Sequence, residues 1–208
     1  MLSNKFKVNY SVGAVANGVK TDTFTFFLLF FYSNIIGLNP GLAGSAIFIA
    51  LCIDAITDPL MGTISDRTNS SFGRRHPYMI ISFIPMSLGY ILLFAPRQEW
   101  DMSQTDLFIW MTIFTVITRI GMTLFDIPHR AFGGEVTKDY KERTILMSWR
   151  EMFAWVAGLS NAFLGYGVFF ASTPEFPQGQ LNPDVWFPFA LTGACLLYTS
   201  DAADDDTR

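Results

Sequence analysis

Charge is scarce in this sequence: Asp, Glu, Lys and Arg make up 15% of its 208 residues, against 50% hydrophobic. Soluble domains cover themselves with charged side chains, about a quarter of all residues, so an ordinary water-exposed surface is excluded. Cysteine is almost missing too. Cys52 and Cys195 are the two present, and they suggest neither a disulfide framework nor a metal centre. Two histidines are too few for a metal cluster. The start of the chain lacks an apolar core ending in a small-residue cleavage site, so no cleavable signal peptide is expected and the first helix would itself direct insertion. No cofactor and no nucleic-acid partner are expected. What the chain has in quantity is phenylalanine, 21 residues, and a positive mean hydropathy. The partner these imply is a lipid bilayer.

The apolar residues are gathered into lengths that fit one. A spanning helix needs roughly 20 mainly apolar residues. Residues 78–95 and 152–173 are uncharged throughout, and 23–38 nearly reaches that length once the amphipathic turns before it are added. Segments 42–65 and 107–131 have the length of a span but carry ionisable residues inside it, and a last apolar stretch opens at 185. The expectation is an all-α, polytopic membrane protein with helices at about 11–36, 41–65, 77–96, 105–131 and 145–172, and an incomplete sixth at 185–194. The connections between them are turn-like, polar or rich in Pro, Gly and Asn. Lys5, Lys7, Arg67, Arg74, Arg75, Lys138, Lys141 and Arg143 all fall on one side of this arrangement, and Arg97 is the one basic residue in the opposite loops. Cytoplasmic loops retain positive charge during insertion, which predicts a cytoplasmic amino terminus in an inner membrane.

The end of the chain reads differently. A helix that has just begun runs into Tyr-Thr-Ser-Asp-Ala-Ala-Asp-Asp-Asp-Thr-Arg, which no bilayer span would carry. The stretch from Cys195 to Asp205 looks like a translated sequencing-library adapter, so 1–194 is taken as the bundle and 195–208 as a non-native tail on a fragment. Four of the aspartates and one arginine belong to that tail, and without them the acidic excess behind the net charge of −4 mostly disappears.

Chemistry is sought where ionisable groups lie at membrane depth, because placing a charge there costs at least about 2.5–3.5 kcal/mol. Asp54 and Asp58 stand one helical turn apart and share a face. Two carboxylates so close in low dielectric must share a proton, bind a cation or pair with a base. Thr57 could add an oxygen ligand for a hard ion such as sodium. On the fourth helix Arg119, Thr123, Asp126 and Arg130 recur on one face, with Pro128 expected to loosen the helix nearby. Thr123 and Asp126 are candidates for the cation and substrate region; the arginines either serve that region or neutralise carboxylates on neighbouring helices. On the fifth helix Arg150 either reaches a substrate hydroxyl or snorkels to the headgroups, and Ala154, Ala157, Asn161 and Gly165 read as positions of close helix packing. In the first helix Lys20 and Asp22, the latter sharing a face with Gly18 and Thr25, either line the cavity or sit at its wet margin.

These residues resemble a known family. Asp54-Ala-Ile-Thr-Asp58-Pro-Leu-Met-Gly62, the loop from Asp66-Arg67 through Phe72-Gly73-Arg74-Arg75, Asp126-Ile-Pro128, and Glu142-Arg143 through Arg150 are similar, in order, to the glycoside-pentoside-hexuronide:cation symporters, the melibiose permease among them. The stretch from Gly62 to Arg75 also resembles the broader major facilitator signature. The resemblance implies a twelve-helix fold, of which this chain would be the amino-terminal six-helix half with its sixth helix truncated. It implies a central solute cavity and alternating access coupled to sodium, lithium or protons, with a missing carboxyl-terminal half completing the site. Carried over by position, Asp54 and Asp58 match the cation-site carboxylates, Thr123 a threonine beside them, and Asp126 and Arg150 positions of the sugar site and its surroundings. Where the melibiose permease has a sugar-binding aspartate, this chain has Gly18 with Asp22 a turn later; where it has a tryptophan, this chain has His129-Arg130. Arg130 could pair with a carboxylate, which makes a hexuronide-like substrate plausible.

The expected activity is cation-coupled symport of a sugar-like solute, not enzymatic chemistry, with Asp66, Arg67, Gly73, Arg74 and Arg75 forming a cytoplasmic gating loop or a purely topological anchor. The Gly-x-Gly-Asp motif of an intramembrane aspartyl protease is absent. A transporter of lysolipids and a structural membrane subunit are the other readings.

Overall fold

The computed structural model describes residues 2–70 and 73–204, with side chains to residue 197. Phe72 of the loop motif and the last residues of the tail, 205–208, lie outside the described residues. Among the described residues all regular structure is helical. The elements are α1 (Asn4–Val12), α2 (Val15–Asp22), α3 (Leu28–Phe30), α4 (Pro40–Arg67), α5 (His76–Leu93), α6 (Gln104–Glu135), α7 (Tyr140–Leu164) and α8 (Trp186–Asp204).

Local chemistry sets where these begin. Asn39, Ser103 and Asp139 cap α4, α6 and α7, their side chains accepting from the N–H groups of Gly41, Asp106 and Lys141, which satisfies donors with no partner inside the helix. Pro40 and Pro77 occupy first-turn positions, where the missing N–H costs nothing. The first expected helix is a composite: α2 continues through a π-helical stretch, Thr23–Phe27, then α3, then a second such stretch, Phe31–Ile36. Gly37, at φ +88°, closes it in the left-handed conformation that glycine adopts without strain. Pro128 lies inside α6, which continues past it to Glu135. In the structure α8 runs through residue 194 to Asp204; Ala194-Cys195-Leu196-Leu197 is as apolar as what precedes it, and Ala194 and Leu197 are buried.

In the bundle α6 packs between α4 and α5, α2 lies against α7 and α8, and α5 meets α8. The phenylalanines concentrate at one junction, where Phe27, Phe31, Phe94, Phe170 and Phe189 surround the buried Trp186, with ring centroids 4.6–6.3 Å apart from that indole. The outer surface is apolar as well: Phe48, Ile84, Trp155 and Phe163 are each more than 60% exposed. Pro40–Arg67, His76–Leu93, Gln104–Glu135 and Tyr140–Phe169 are long and apolar enough to cross a membrane, so lipid is the medium that this surface fits.

Candidate functional site: a charged cavity between three helices

Asn17 and Lys20 of α2, Asp54 and Asp58 of α4, and Arg119, Met122, Thr123, Asp126 and Ile127 of α6 line a cavity of about 60 Å³. The one-turn spacing of the two aspartates puts both on the α4 face toward α6, as their periodicity predicts. Their partners differ. Asp54 Oδ2 is ion-paired with Arg119 Nη1, whereas Asp58 Oδ1 accepts a hydrogen bond of 2.7 Å from the Thr123 hydroxyl. Asp54 Oδ1 and Arg119 Nε are both buried without a hydrogen-bond partner. Of the three outcomes open to two adjacent carboxylates, pairing with a base is thus realised at Asp54. The remaining oxygens of Asp54 and Asp58, with the Thr123 hydroxyl, form a hard donor set that suits sodium or a proton. Water takes about 30 Å³ in the liquid, so the cavity has room for about two species of that size; ligand pockets run to about 300–1,000 Å³.

Thr57 does not join this group. It lies about 100° around the helix from Asp58, and its hydroxyl turns back to the Asp54 carbonyl at 3.5 Å. Lys20, by contrast, does line the cavity, while its near neighbour Asp22 does not. Asp22 is 9% exposed and accepts from Asn161 Nδ2 at 2.8 Å; that amide also reaches the Thr23 hydroxyl at 3.3 Å, which bonds Tyr90 at 2.7 Å. This is a polar seam joining the first helix to α5 and α7.

Gly18 is likewise a packing position. A Cβ there would stand 2.0 Å from the Ala154 carbonyl oxygen, so glycine is what allows α2 and α7 to touch through their backbones. The expected small-residue face of the fifth helix is therefore real, and its counterpart is Gly18.

Asp126 anchors the second charged group. Arg130 Nε donates to its Oδ2 at 2.6 Å and Arg150 Nη2 pairs with Oδ1. Arg150 also gives Nη1 to Glu151 at 2.6 Å and Nε to His129 at 3.4 Å. With 1% of its side chain exposed, Arg150 neither snorkels nor lines the cavity, whereas Arg130 is 48% exposed. The cause is position: residue 150 faces the α6 segment that carries two hydrogen-bonding partners, Asp126 and His129.

At the basic loop, Arg75 Nη2 donates to Asp66 at 2.8 Å and Glu135 at 3.0 Å, and Arg74 forks onto both Glu135 oxygens at 3.1 Å. Gly73, at φ +90°, makes the turn that brings the arginines back. Arg67 ends α4 and is exposed. Sequence reasoning missed Glu135, and it missed Asn17, although a polar residue three before Lys20 was a signal for one wet face of the first helix.

Long apolar helices around a charged cavity at their mid-length, with a glycine-turned basic loop at one end, define an integral membrane bundle of the major facilitator class. Residues 9–200 match the MFS/sugar transport protein family, and the chain belongs to it, a family of transporters; the resemblance to glycoside-pentoside-hexuronide:cation symporters holds. The match reaches into the stretch read as a tail. Similar proteins include the inner membrane symporter YicJ of Escherichia coli (31% identity over 79% of this chain and 35% of that one) and the putative glycoside/cation symporter YagG of the same organism (31%, 76% and 34%). Another is the sodium-dependent lysophosphatidylcholine symporter 1-A of Danio rerio (29%, 81% and 31%). The chain spans about a third of the length of these relatives.

Proposed function

We propose that the full-length protein is a secondary transporter that couples entry of a sugar, glycoside or hexuronide to sodium or a proton across the inner membrane, with a cytoplasmic amino terminus. The observation that carries this reading is the cavity in which Asp54 and Asp58 of α4 meet Thr123 and Asp126 of α6 across from Lys20. Acidic groups at such depth are costly unless compensated; Arg119 and Lys20 compensate them at rest, and an ion drawn from a gradient takes over part of that task while storing work. Cation binding lowers the cost of the carboxylate pair, and by linkage the solute and the ion then raise each other's affinity. A cavity of this size accommodates the ion, so the solute site lies beside it and draws on a further six helices of the same protein. The loop of Asp66, Gly73, Arg74 and Arg75 latches the cytoplasmic ends of α4 and α6 through Glu135.

The relative whose name specifies glycosides supports a sugar-like solute; one named for lysophosphatidylcholine supports a lysolipid as the second reading. Membrane vesicles carrying the full-length protein separate them. Uptake of a labelled glycoside should rise with an imposed sodium or proton gradient, be competed by free sugar, and fall to the uncoupled level in Asp58→Asn. Competition by lysolipid alone would favour the second reading, and gradient-driven uptake that survives Asp58→Asn would remove the coupling role given to this site.

A further inference from the structure

The cavity is charge-balanced before any solute ion arrives. Lys20 and Arg119 face Asp54 and Asp58, while the remaining lining carboxylate, Asp126, is held by Arg130 and by Arg150, the latter paired with Glu151 as well. A monovalent cation entering this space would leave a net positive charge in a small, half-open pocket between helices, a penalty that falls as an internal cation withdraws from the shared oxygens. Arg119 is the one in the way: it is paired with Asp54 itself, 12% exposed, whereas Lys20 makes no ion pair among the described residues. Its seat is also incomplete. Nε is buried without a partner, and the guanidinium carbon rests 5.3 Å from the centre of the Phe24 ring, on the π-helical part of the first helix.

Building on the symport reading, we propose that Arg119 is a tethered counter-ion that competes with the coupling cation for Asp54 and thereby sets the cation affinity of the site. When sodium takes the Asp54 and Asp58 oxygens, Arg119 leaves Asp54. Because the same guanidinium stacks on Phe24, its departure is felt by the first helix, so ion occupancy reaches α2 through one side chain. Lys20, on the facing side, supplies the rest of the balancing charge and stays.

Sodium binding to the purified full-length protein in detergent tests this, read from tryptophan fluorescence or from the rise in melting temperature across a sodium chloride series held at constant ionic strength with choline. Arg119→Gln should lower the half-saturating sodium concentration at least tenfold, and Arg119→Lys should remain near the unaltered value. A half-saturating concentration that is unchanged or higher in Arg119→Gln overturns the proposal. The unaltered protein gives an independent check should the variant fold poorly. Sodium should speed modification of Arg119 by phenylglyoxal, followed by mass spectrometry, because the guanidinium is released; an unchanged or slower rate overturns the proposal. The symport reading stands or falls separately, on gradient-driven uptake in Asp58→Asn.

Discussion

Asp54→Asn and Asp58→Asn are the same chemical change one helical turn apart, yet the structure requires them to differ. Asp54 is the ionic partner of Arg119, whose side chain is 12% exposed. Neutralising Asp54 leaves that guanidinium beside Phe24 and near Lys20 without its carboxylate. Removing one partner of a buried pair costs about 3–5 kcal/mol, and the wet cavity and residual Asp58 charge bring the expected loss to about 2–3 kcal/mol. Asp58 receives a single hydroxyl bond, from Thr123 at 2.7 Å, which an asparagine oxygen still accepts. Exchanging a charged for a neutral acceptor costs about 1 kcal/mol, and the attraction to Lys20 and Arg119 that is lost with the charge is offset by relief of the repulsion from Asp54. Stability in sodium-free detergent, measured by thermal or denaturant unfolding, should therefore fall for Asp54→Asn and stay within about 1 kcal/mol for Asp58→Asn. In the double variant Asp54→Asn, Arg119→Gln, part of the loss should be recovered, since the unpaired charge is gone and the two sites are coupled. Equal destabilisation by the two single variants, or strict additivity in the double one, would refute the assignment of Arg119 to Asp54.

Gly18→Ala should destabilise the bundle by about 1–3 kcal/mol, the range for overpacking, because the new methyl meets backbone at 2.0 Å; Gly44→Ala, with nothing within 4 Å, should be neutral or slightly stabilising, and paired melting curves check both. Glu135→Gln should change global stability by no more than about 1 kcal/mol, the carboxylate being 49% exposed, but it removes the charge that Arg74 and Arg75 share and one of the two carboxylate acceptors, so amide exchange in residues 73–76 should quicken.

Spans and the paired aspartates were legible because each depends on a short-range rule: apolar length against bilayer thickness, and a four-residue repeat on one face. What was not legible is which partner each charge takes. Arg119, Arg130 and Arg150 look alike in sequence, but the first meets α4, the second its own helix and the third is enclosed between α6 and α7. Gly18 and Asp22 illustrate the same limit. Position relative to a motif put them in the solute site, and the interhelical contact with Ala154 and Asn161 puts them in the packing seam. Periodicity reports which residues share a face; it does not report what that face meets. The division of the first helix by π-helical stretches had no sequence signal at all, since nothing local in Thr23–Phe27 distinguishes it from an ordinary apolar helix.

The two charged groups on α6 are built for different tasks, and their exposure separates them. Both oxygens of Asp126 are taken, one by Arg150 and the other by Arg130. If Asp126 is to accept hydroxyls from a solute, one of these contacts has to open. Arg150, with 1% exposure and Glu151 and His129 as further partners, would give up three buried or part-buried contacts by leaving. Arg130, nearly half exposed and held among the described residues by a single (i, i+4) contact, has far less to give up in rotating away. The arginine that could greet an anionic solute is therefore also the one whose movement frees Asp126, whereas Arg150 keeps that carboxylate in place while its other oxygen changes partner.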